Sequence, residues 1–326
     1  VQAFRLGALP DRLPASERDQ TREAGIWRRF KVANDQLLVT IHRLEDVQKE
    51  ASFLTTGLVT PMQRWTTRTI VLGNEKGYPG RDGWAFFRTG VDALTGPAIG
   101  RPKTATFKLG DLVGLDTLLH VADNLVPLVP DDEARDIFLA PDYLRRMVEK
   151  GLLGRKTGGG FYKMVKKPEK KILTLDLETL EYRDKQKPNL PEIAAAKGVD
   201  DLAERLKMLA FGKGRAGEAV WKILAASFSY SAMRVGEICD QAAEIDQAVR
   251  WGFNWELGPF EVWDLLGFRK VTERLREEGR PLPKWIDALY DSGADSIYLD
   301  EEGVLSSATL SPGEFLPVPT DPSVYD

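Results

Sequence analysis

The feature that most constrains the fold of this 326-residue chain is a segment that occurs twice. Val91–Thr117 aligns with Ile245–Gly267, with an offset of 154 at the first matched pair and 153 at the others. Such internal similarity predicts two copies of one structural unit, stacked or paired so that they share a core. The matched pairs are Asp92 with Asp246, Phe107 with Phe260, Asp111 with Asp264, and Gly114 with Gly267.

Composition narrows the class of protein. Hydrophobic residues make up 43% and charged residues 29%, as in an ordinary soluble globular protein. The formal net charge of −4 argues against a general binder of nucleic acids or anionic membranes. No apolar run approaches the roughly 20 residues of a membrane span. The single cysteine, Cys239, excludes an internal disulfide and fits a reducing compartment, so we expect a cytoplasmic protein.

The pattern along the chain predicts a mainly α fold with small β-hairpins. Residues 1–90 are rich in arginine and poorly periodic, which predicts an irregular leader, aberrant or disordered. Two helical domains follow at 91–165 and 198–285, separated by a linker with a β-hairpin at 166–197 and followed by a β-hairpin tail at 286–326.

Local patterns place several elements within these domains. We predict a helix from about Leu109 to Val126, which Pro127 ends. Another helix over Gly236–Val249 carries Cys239 on its apolar face, where the thiol packs rather than reacts.

Three motifs carry a resemblance to a known family. Gly258–Gly267 reads GPFEVWDLLG, Thr106–Thr117 reads TFKLGDLVGLDT, and Gly154–Tyr162 reads GRKTGGGFY. In this order they resemble the C-terminal domain of the 3-hydroxyacyl-CoA dehydrogenase family, and the resemblance covers about Val91–Pro319. The residues that it assigns to the structural motif are Asp111, Gly114, Gly158, Gly160, Phe161, Gly258, Pro259, Phe260, Asp264 and Gly267.

The resemblance implies two repeated C-terminal-like domains of a fused fatty-acid oxidation protein. Such an enzyme oxidises L-3-hydroxyacyl-CoA to 3-oxoacyl-CoA and passes hydride to NAD. We find no Gly-x-Gly-x-x-Gly turn between a strand and a helix, and no catalytic His followed by Phe-x-Asn-Pro. NAD is therefore expected in the intact family enzyme but not on this chain alone, which we expect to be inactive with no catalytic residue and no metal site.

The remaining candidate residues are few. The resemblance makes Gly100–Phe107 the wall of the acyl-CoA cleft, with Gly100, Lys103, Thr104 and Phe107 as candidate residues. His120 could act as a base with Asp116 one turn earlier, but a half-exposed helix histidine explains it better. His42 and Asn34 match no family motif well. Gly154–Gly160 is interpreted as a structural turn, with contact to CoA phosphates as the alternative.

The implied partners are acyl-CoA, an NAD-binding domain, and an enoyl-CoA hydratase domain or subunit, with no nucleic acid and no membrane. Two further hypotheses stay open at this point. The chain could be a non-catalytic docking or assembly module for a separately encoded nucleotide-binding domain or another β-oxidation protein. It could also bind acyl-CoA without catalysis.

Overall fold

A computed structural model of the chain describes residues 90–166, 168–185, 190–311 and 313–318. The predicted leader, including His42 and Asn34, lies outside the described residues apart from Gly90. The described residues belong to two compact units, 90–226 and 227–318. Each unit is mainly helical and contains one small antiparallel sheet, so the predicted mainly α class is confirmed.

The first unit begins with residues 90–94 in helical conformation, and a 3₁₀ turn follows at Pro97–Ile99. Its sheet has the antiparallel order β1-β2-β3. In chain order the elements are α1 (Phe107–Val113), α2 (Leu115–Leu128), α3 (Asp142–Glu149), β1 (Tyr162–Val165), β2 (Lys171–Leu175), β3 (Tyr182–Asp184), α4 (Pro191–Ala196), α5 (Leu202–Ala210) and α6 (Arg215–Arg234), which continues into the second unit.

The second unit continues from α6 and closes with the antiparallel sheet β4-β5-β6. Glu302 and Gly303 both have positive φ, 53° and 84°, and form the two-residue turn between the first two of these strands, within the β-hairpin tail predicted at 286–326. The elements are α7 (Ala242–Phe253), α8 (Pro259–Leu266), α9 (Phe268–Glu277), α10 (Lys284–Asp291), β4 (Tyr298–Glu301), β5 (Val304–Ala308) and β6 (Phe315–Pro317).

The core of the first unit forms where α1, α2 and α3 pack on the sheet. Phe107 of α1 meets Phe161 edge to face, with ring centroids 4.7 Å apart. Leu115, Met147 and Leu175 are fully buried around them. Removing this apolar surface from water is the main force that holds the helices on the sheet.

The core of the second unit is aromatic. Phe228 packs on Trp263 at 5.3 Å between centroids, and Phe260 and Phe268 lie on the same indole. Trp285 is buried beside them and donates its indole N–H to the carbonyl oxygen of Ala232 at 3.0 Å. Phe260 and Trp263 are both fully buried in this core.

Three local predictions were wrong. The helix predicted from Leu109 to Val126 is two helices, because Gly114 has a φ of 107° that ends α1 and starts α2 in a new direction. Leu112 and Val113 consequently face outward. Pro127 lies inside the last turn of α2, which ends at Leu128.

The third error concerns Cys239. It lies before α7, in a short bridge with Val235, and not on a helix face. Its thiol is nevertheless buried, and burial raises its pKa well above the usual value. A buried thiol that keeps its proton packs and does not react, as predicted.

Candidate functional site

The loop predicted to form a cleft wall connects the 3₁₀ turn Pro97–Ile99 to α1. Gly100 has a φ of 71°, which permits the chain to leave that turn. Lys103 is exposed, Thr104 is partly exposed, and Phe107 is a core side chain with only 2% of its surface accessible. Of the four candidates, Lys103 lines a cavity, whereas Phe107 faces the interior of the unit.

This cavity, which we call the basic cavity, has a volume of about 740 Å³. Its wall comes from the segment before α1, from α1, from the end of β3, and from α4 and α5. The charged residues that line it are Asp92, Lys103, Lys108, Lys185, Lys197 and Arg205.

Asp92 links the wall of the basic cavity to the core. Its Oδ1 accepts hydrogen bonds from the backbone N–H groups of Thr106 at 3.1 Å and Phe107 at 2.7 Å. Its Oδ2 accepts a hydrogen bond from the hydroxyl of Tyr162 at 2.8 Å. Burial raises the pKa of Asp92, and these hydrogen bonds act in the opposite direction.

Asp111 holds the glycine-rich turn against α1. Its two carboxylate oxygens accept the backbone N–H groups of Phe161 at 2.7 Å and Tyr162 at 2.8 Å. A Cβ on Gly160 would collide with Asp111 Oδ1, and one on Gly154 would collide with the backbone of Asp111. The glycines are therefore required for close approach, which supports the interpretation of this segment as a structural turn.

A related arrangement occurs in the second unit. Asp246 accepts the backbone N–H groups of Phe260 at 2.9 Å and Glu261 at 2.7 Å, and the hydroxyl of Tyr298 at 2.9 Å. The two backbone donors lie one residue later than those at Asp92. Pro259 aligns with Thr106, whose N–H binds Asp92, and proline has no N–H to donate.

Asp264 is the residue of the second unit that the sequence alignment pairs with Asp111. It accepts the backbone N–H groups of Ile297 at 2.8 Å and Tyr298 at 2.8 Å. Burial raises the pKa of Asp264 to about 7 and that of Asp111 to about 6. In both cases desolvation of the charged form outweighs the hydrogen bonds from the backbone.

Sequence spacing does not identify the two tyrosines. Tyr162 lies 70 residues after Asp92, whereas Tyr298 lies 52 residues after Asp246. Each tyrosine is the first residue of the first strand in its sheet. That shared place in the strand is the signal by which a sequence comparison could have found them.

One segment has the glycine spacing of a dinucleotide-binding turn. Gly212–Gly217 reads GKGRAG, but it connects α5 to α6 and follows a helix rather than a strand. A Cβ on Gly217 would collide with Gly212, so these glycines serve close packing of the connection. A Cβ on Gly214 would collide with the carboxylate of Glu192. This negative charge lies against the glycine turn and would repel a pyrophosphate bound there.

The histidine hypothesis is not supported. His120 is exposed on α2, and the carboxylate of Asp116 is paired with Lys156, whose Nζ lies 2.5 Å from Asp116 Oδ1. Within the described residues, no group of three His, Cys, Asp or Glu side chains could hold a metal ion. In the same residues, no helix has the length and apolar character needed to cross a membrane.

Comparison with known proteins finds similarity to the same family as the motifs do. Residues 87–164 match the family model of the 3-hydroxyacyl-CoA dehydrogenase C-terminal domain. A probable 3-hydroxyacyl-CoA dehydrogenase of Bacillus subtilis is 43% identical over 215 residues, which are 66% of this chain and 27% of that protein. A putative fatty acid oxidation complex trifunctional enzyme of Rickettsia felis is 28% identical over 201 residues, 60% of this chain and 26% of that protein.

The chain thus spans about a quarter of the length of these two relatives. Among solved structures, 3-hydroxybutyryl-CoA dehydrogenase from Escherichia coli K12 aligns with 74% of this chain and 60% of its own, at 17% identity and a TM-score of 0.40.

Proposed function

Because the chain belongs to the 3-hydroxyacyl-CoA dehydrogenase family, we propose that it is the C-terminal part of an NAD-dependent L-3-hydroxyacyl-CoA dehydrogenase of fatty-acid β-oxidation. In that role it helps to form the acyl-CoA cleft and pairs two C-terminal domains. The observation that carries the proposal is the 43% identity over 215 residues to the Bacillus subtilis relative, which extends well beyond the matched domain.

We further propose that the two units are copies of one domain. Four equivalences support this proposal. Asp92 and Asp246 cap the next helix and accept a tyrosine hydroxyl, and Asp111 and Asp264 bind the backbone that enters a three-stranded sheet. The left-handed residues also correspond, Gly100 with Asn254 and Gly114 with Gly267.

These contacts support our proposal for the domain boundaries. Strands β2 and β3 continue the sheet that Asp111 anchors, which supports a first copy that extends from Val91 to Asp184. The second copy includes the strands predicted as a tail, because Asp264 binds the start of β4.

The described residues do not fit NAD. Both sheets are antiparallel, and the only glycine spacing of the right kind among these residues lies between two helices beside a carboxylate. A dinucleotide turn needs a strand that leads into a helix N-terminus free to receive the pyrophosphate. We propose that NAD is held by another part of the enzyme, and that this chain contributes no group to hydride transfer.

A domain exchange tests the function. The matched 215-residue region of the Bacillus subtilis relative is replaced by the corresponding part of this chain, and NADH formation from a 3-hydroxyacyl-CoA is followed by absorbance. We expect the chimera to keep dehydrogenase activity, the relative with that region deleted to lose it, and this chain alone to have none. An inactive but folded chimera would refute the proposed function.

A complementary experiment distinguishes a separate docking module from a covalently joined domain. This chain is added to the relative that lacks the matched region. Activity restored by mixing, together with co-purification, would favour a docking module that works as a separate polypeptide. Activity in the chimera but not in the mixture would favour a covalently joined domain.

A further inference from the structure

The loop before α1 is anchored at its start by one side chain of α5. Arg205 lies outside the proposed first copy but in the same compact unit. Its Nε donates to the carbonyl oxygen of Ala98 at 3.1 Å, and its Nη2 donates to that of Pro97 at 3.3 Å. Its Nη1 donates to the carbonyl oxygens of Val199 at 2.8 Å and Asp200 at 3.3 Å. One guanidinium therefore joins the turn that begins the loop to the connection between α4 and α5.

This contact depends on the shape of the arginine side chain. A guanidinium carries five N–H groups in a planar, rigid fork, so it can donate to carbonyl groups of two segments at once. A lysine ammonium is a single charged group on a flexible stem and does not fix two segments relative to each other in the same way. Replacing Arg205 by lysine therefore keeps the charge and removes most of the anchor.

The far end of the loop is fixed by the helical segment before it. Asp92 Oδ1 accepts the backbone N–H of Thr106 at 3.1 Å, and the hydroxyl groups of Thr95 and Thr106 lie 2.8 Å apart. Between the two ends, Ala105 has a φ of 50°, which is unfavourable for a residue with a Cβ. Such a conformation persists only where the surrounding contacts determine the backbone. The loop from Gly100 to Thr106 is thus held from both ends.

The second unit fixes the corresponding loop by a different contact. Arg250 of α7 pairs with Glu261 at 2.8 Å, and the carboxylate of Glu261 also accepts the N–H of Gly258 at 2.7 Å. By the sequence offset, Arg250 and Glu261 correspond to Gly96 and Lys108, which cannot form that ion pair. The loop of the first unit lacks this internal contact and is anchored by Arg205 instead.

The loop of the first unit also follows a different path. The offset changes from 154 to 153 between Asp92 and Phe107, so this copy has one more residue there than the other. A Cβ on Gly96 would lie 3.0 Å from the carbonyl oxygen of Asp92 and 3.3 Å from the Cβ of Ala105. The loop therefore packs against the residue that aligns with Arg250, and an arginine in that place would displace it.

We propose that Arg205 is a positioning residue for the wall of the acyl-CoA cleft. It holds the loop from Gly100 to Thr106, with Lys103 inside it, in the conformation that the substrate meets. This role rests on the proposed function, which assigns the loop to the cleft. Arg205 acts through the loop and takes no part in hydride transfer. Without the anchor the loop has the competent conformation for only a fraction of the time, and the apparent affinity for substrate falls by that fraction.

The first test measures the anchor in the full chain by amide hydrogen exchange. The backbone N–H groups of Gly100 and Arg101 close the turn that Arg205 binds, through hydrogen bonds of 3.3 and 3.2 Å. Both amides should exchange about tenfold faster in Arg205→Lys than in the wild type, because the turn opens more often. Wild-type exchange at both amides in this variant would overturn the anchor.

Arg146 provides a matched control. It also donates to two backbone carbonyl oxygens, those of Leu177 at 2.7 Å and Glu178 at 3.0 Å, in another part of the same unit. Arg146→Lys makes the same chemical change there and should leave the amides of Gly100 and Arg101 as they are in the wild type. Equal acceleration of these amides in both lysine variants would show a general loss of stability and overturn a specific anchor.

The second test separates positioning from folding. In the chimera with the Bacillus subtilis relative, KM for a 3-hydroxyacyl-CoA should rise about tenfold in Arg205→Ala and less in Arg205→Lys. The kcat and the KM for NAD should stay within about twofold of the unsubstituted chimera, since only ground-state binding of one substrate changes. Arg146→Lys should leave all three constants unchanged. If Arg205→Ala does not fold, Arg205→Lys decides alone.

The outcomes keep this inference distinct from the proposed function. An active chimera whose Arg205 variants have the kinetic constants of the unsubstituted chimera would refute the positioning role and leave the dehydrogenase proposal intact. A fall in kcat with an unchanged KM for the 3-hydroxyacyl-CoA would refute it as well. A folded but inactive chimera would refute the proposed function, while hydrogen exchange in this chain would still decide whether Arg205 anchors the loop.

Discussion

The contact between Asp111 and the glycine-rich turn gives the sharpest test of what holds the first unit together. Replacing Asp111 by alanine removes the acceptor for two backbone N–H groups, those of Phe161 and Tyr162. Phe161 is 4% exposed and Asp111 is 5% exposed, so water does not readily replace the carboxylate. Each buried donor left without a partner costs about 1–3 kcal/mol, which gives a loss of about 2–6 kcal/mol.

The conservative variant refines the prediction. Asp111→Asn keeps one acceptor oxygen and the size of the side chain, but its amide group would face the second donor. We therefore expect a loss smaller than that of the alanine variant. Asp131→Asn makes the same chemical change at an exposed carboxylate of the same unit and should change the free energy of unfolding by less than about 0.5 kcal/mol.

Urea denaturation at pH 7.5 and 25 °C measures these differences, and amide hydrogen exchange locates them. The amides of Phe161 and Tyr162 should exchange faster in Asp111→Ala than in the wild type. An alanine variant as stable as Asp131→Asn, with unchanged exchange at both amides, would show that the carboxylate does not stabilise the turn.

Two further predictions concern the same contacts. Gly160→Ala places a Cβ against Asp111 Oδ1 and should destabilise the protein by about 1–3 kcal/mol in urea denaturation, whereas Gly198→Ala, whose Cβ meets nothing closer than 3.5 Å, should change little. The pKa of Asp264 is about 7 in the folded protein, above the unfolded value of about 3.9, so its contribution to stability is full below pH 4 and is lost as the pH rises to 7. The stability difference between the wild type and Asp264→Asn should decline over this range by an amount on the order of 4 kcal/mol, and a constant difference would contradict the raised pKa.

The elements themselves were largely predictable because they depend on local patterns. Apolar residues at helical spacing predicted helix over most of α1 and α2, and the tail at 286–326 was predicted to hold a β-hairpin, which β4 and β5 form. The spacing of apolar residues wrongly predicted one continuous helix through Gly114. That spacing shows which residues are apolar, but it does not show where a glycine with positive φ turns the chain.

The candidate site was predictable only in part. Lys103 was identified by its place in the Gly100–Phe107 segment, and the structure places it on the wall of a cavity. Lys185, Lys197 and Arg205 were not identified, since no motif contains them and they are far from Lys103 in the sequence. Phe107, by contrast, is a core side chain. A motif does not distinguish a residue that packs in the core from one that binds a ligand.

By itself the sequence determined which residues recur: two aspartate pairs, two phenylalanines and two glycines at nearly constant offset, together with the motifs of one enzyme family. Only the tertiary structure decided which backbone groups those aspartates bind and which lysines gather around one cavity. The physical reason is that hydrogen bonds and repulsion between charges depend on distance in space, and 50 residues of chain separate Asp111 from Phe161.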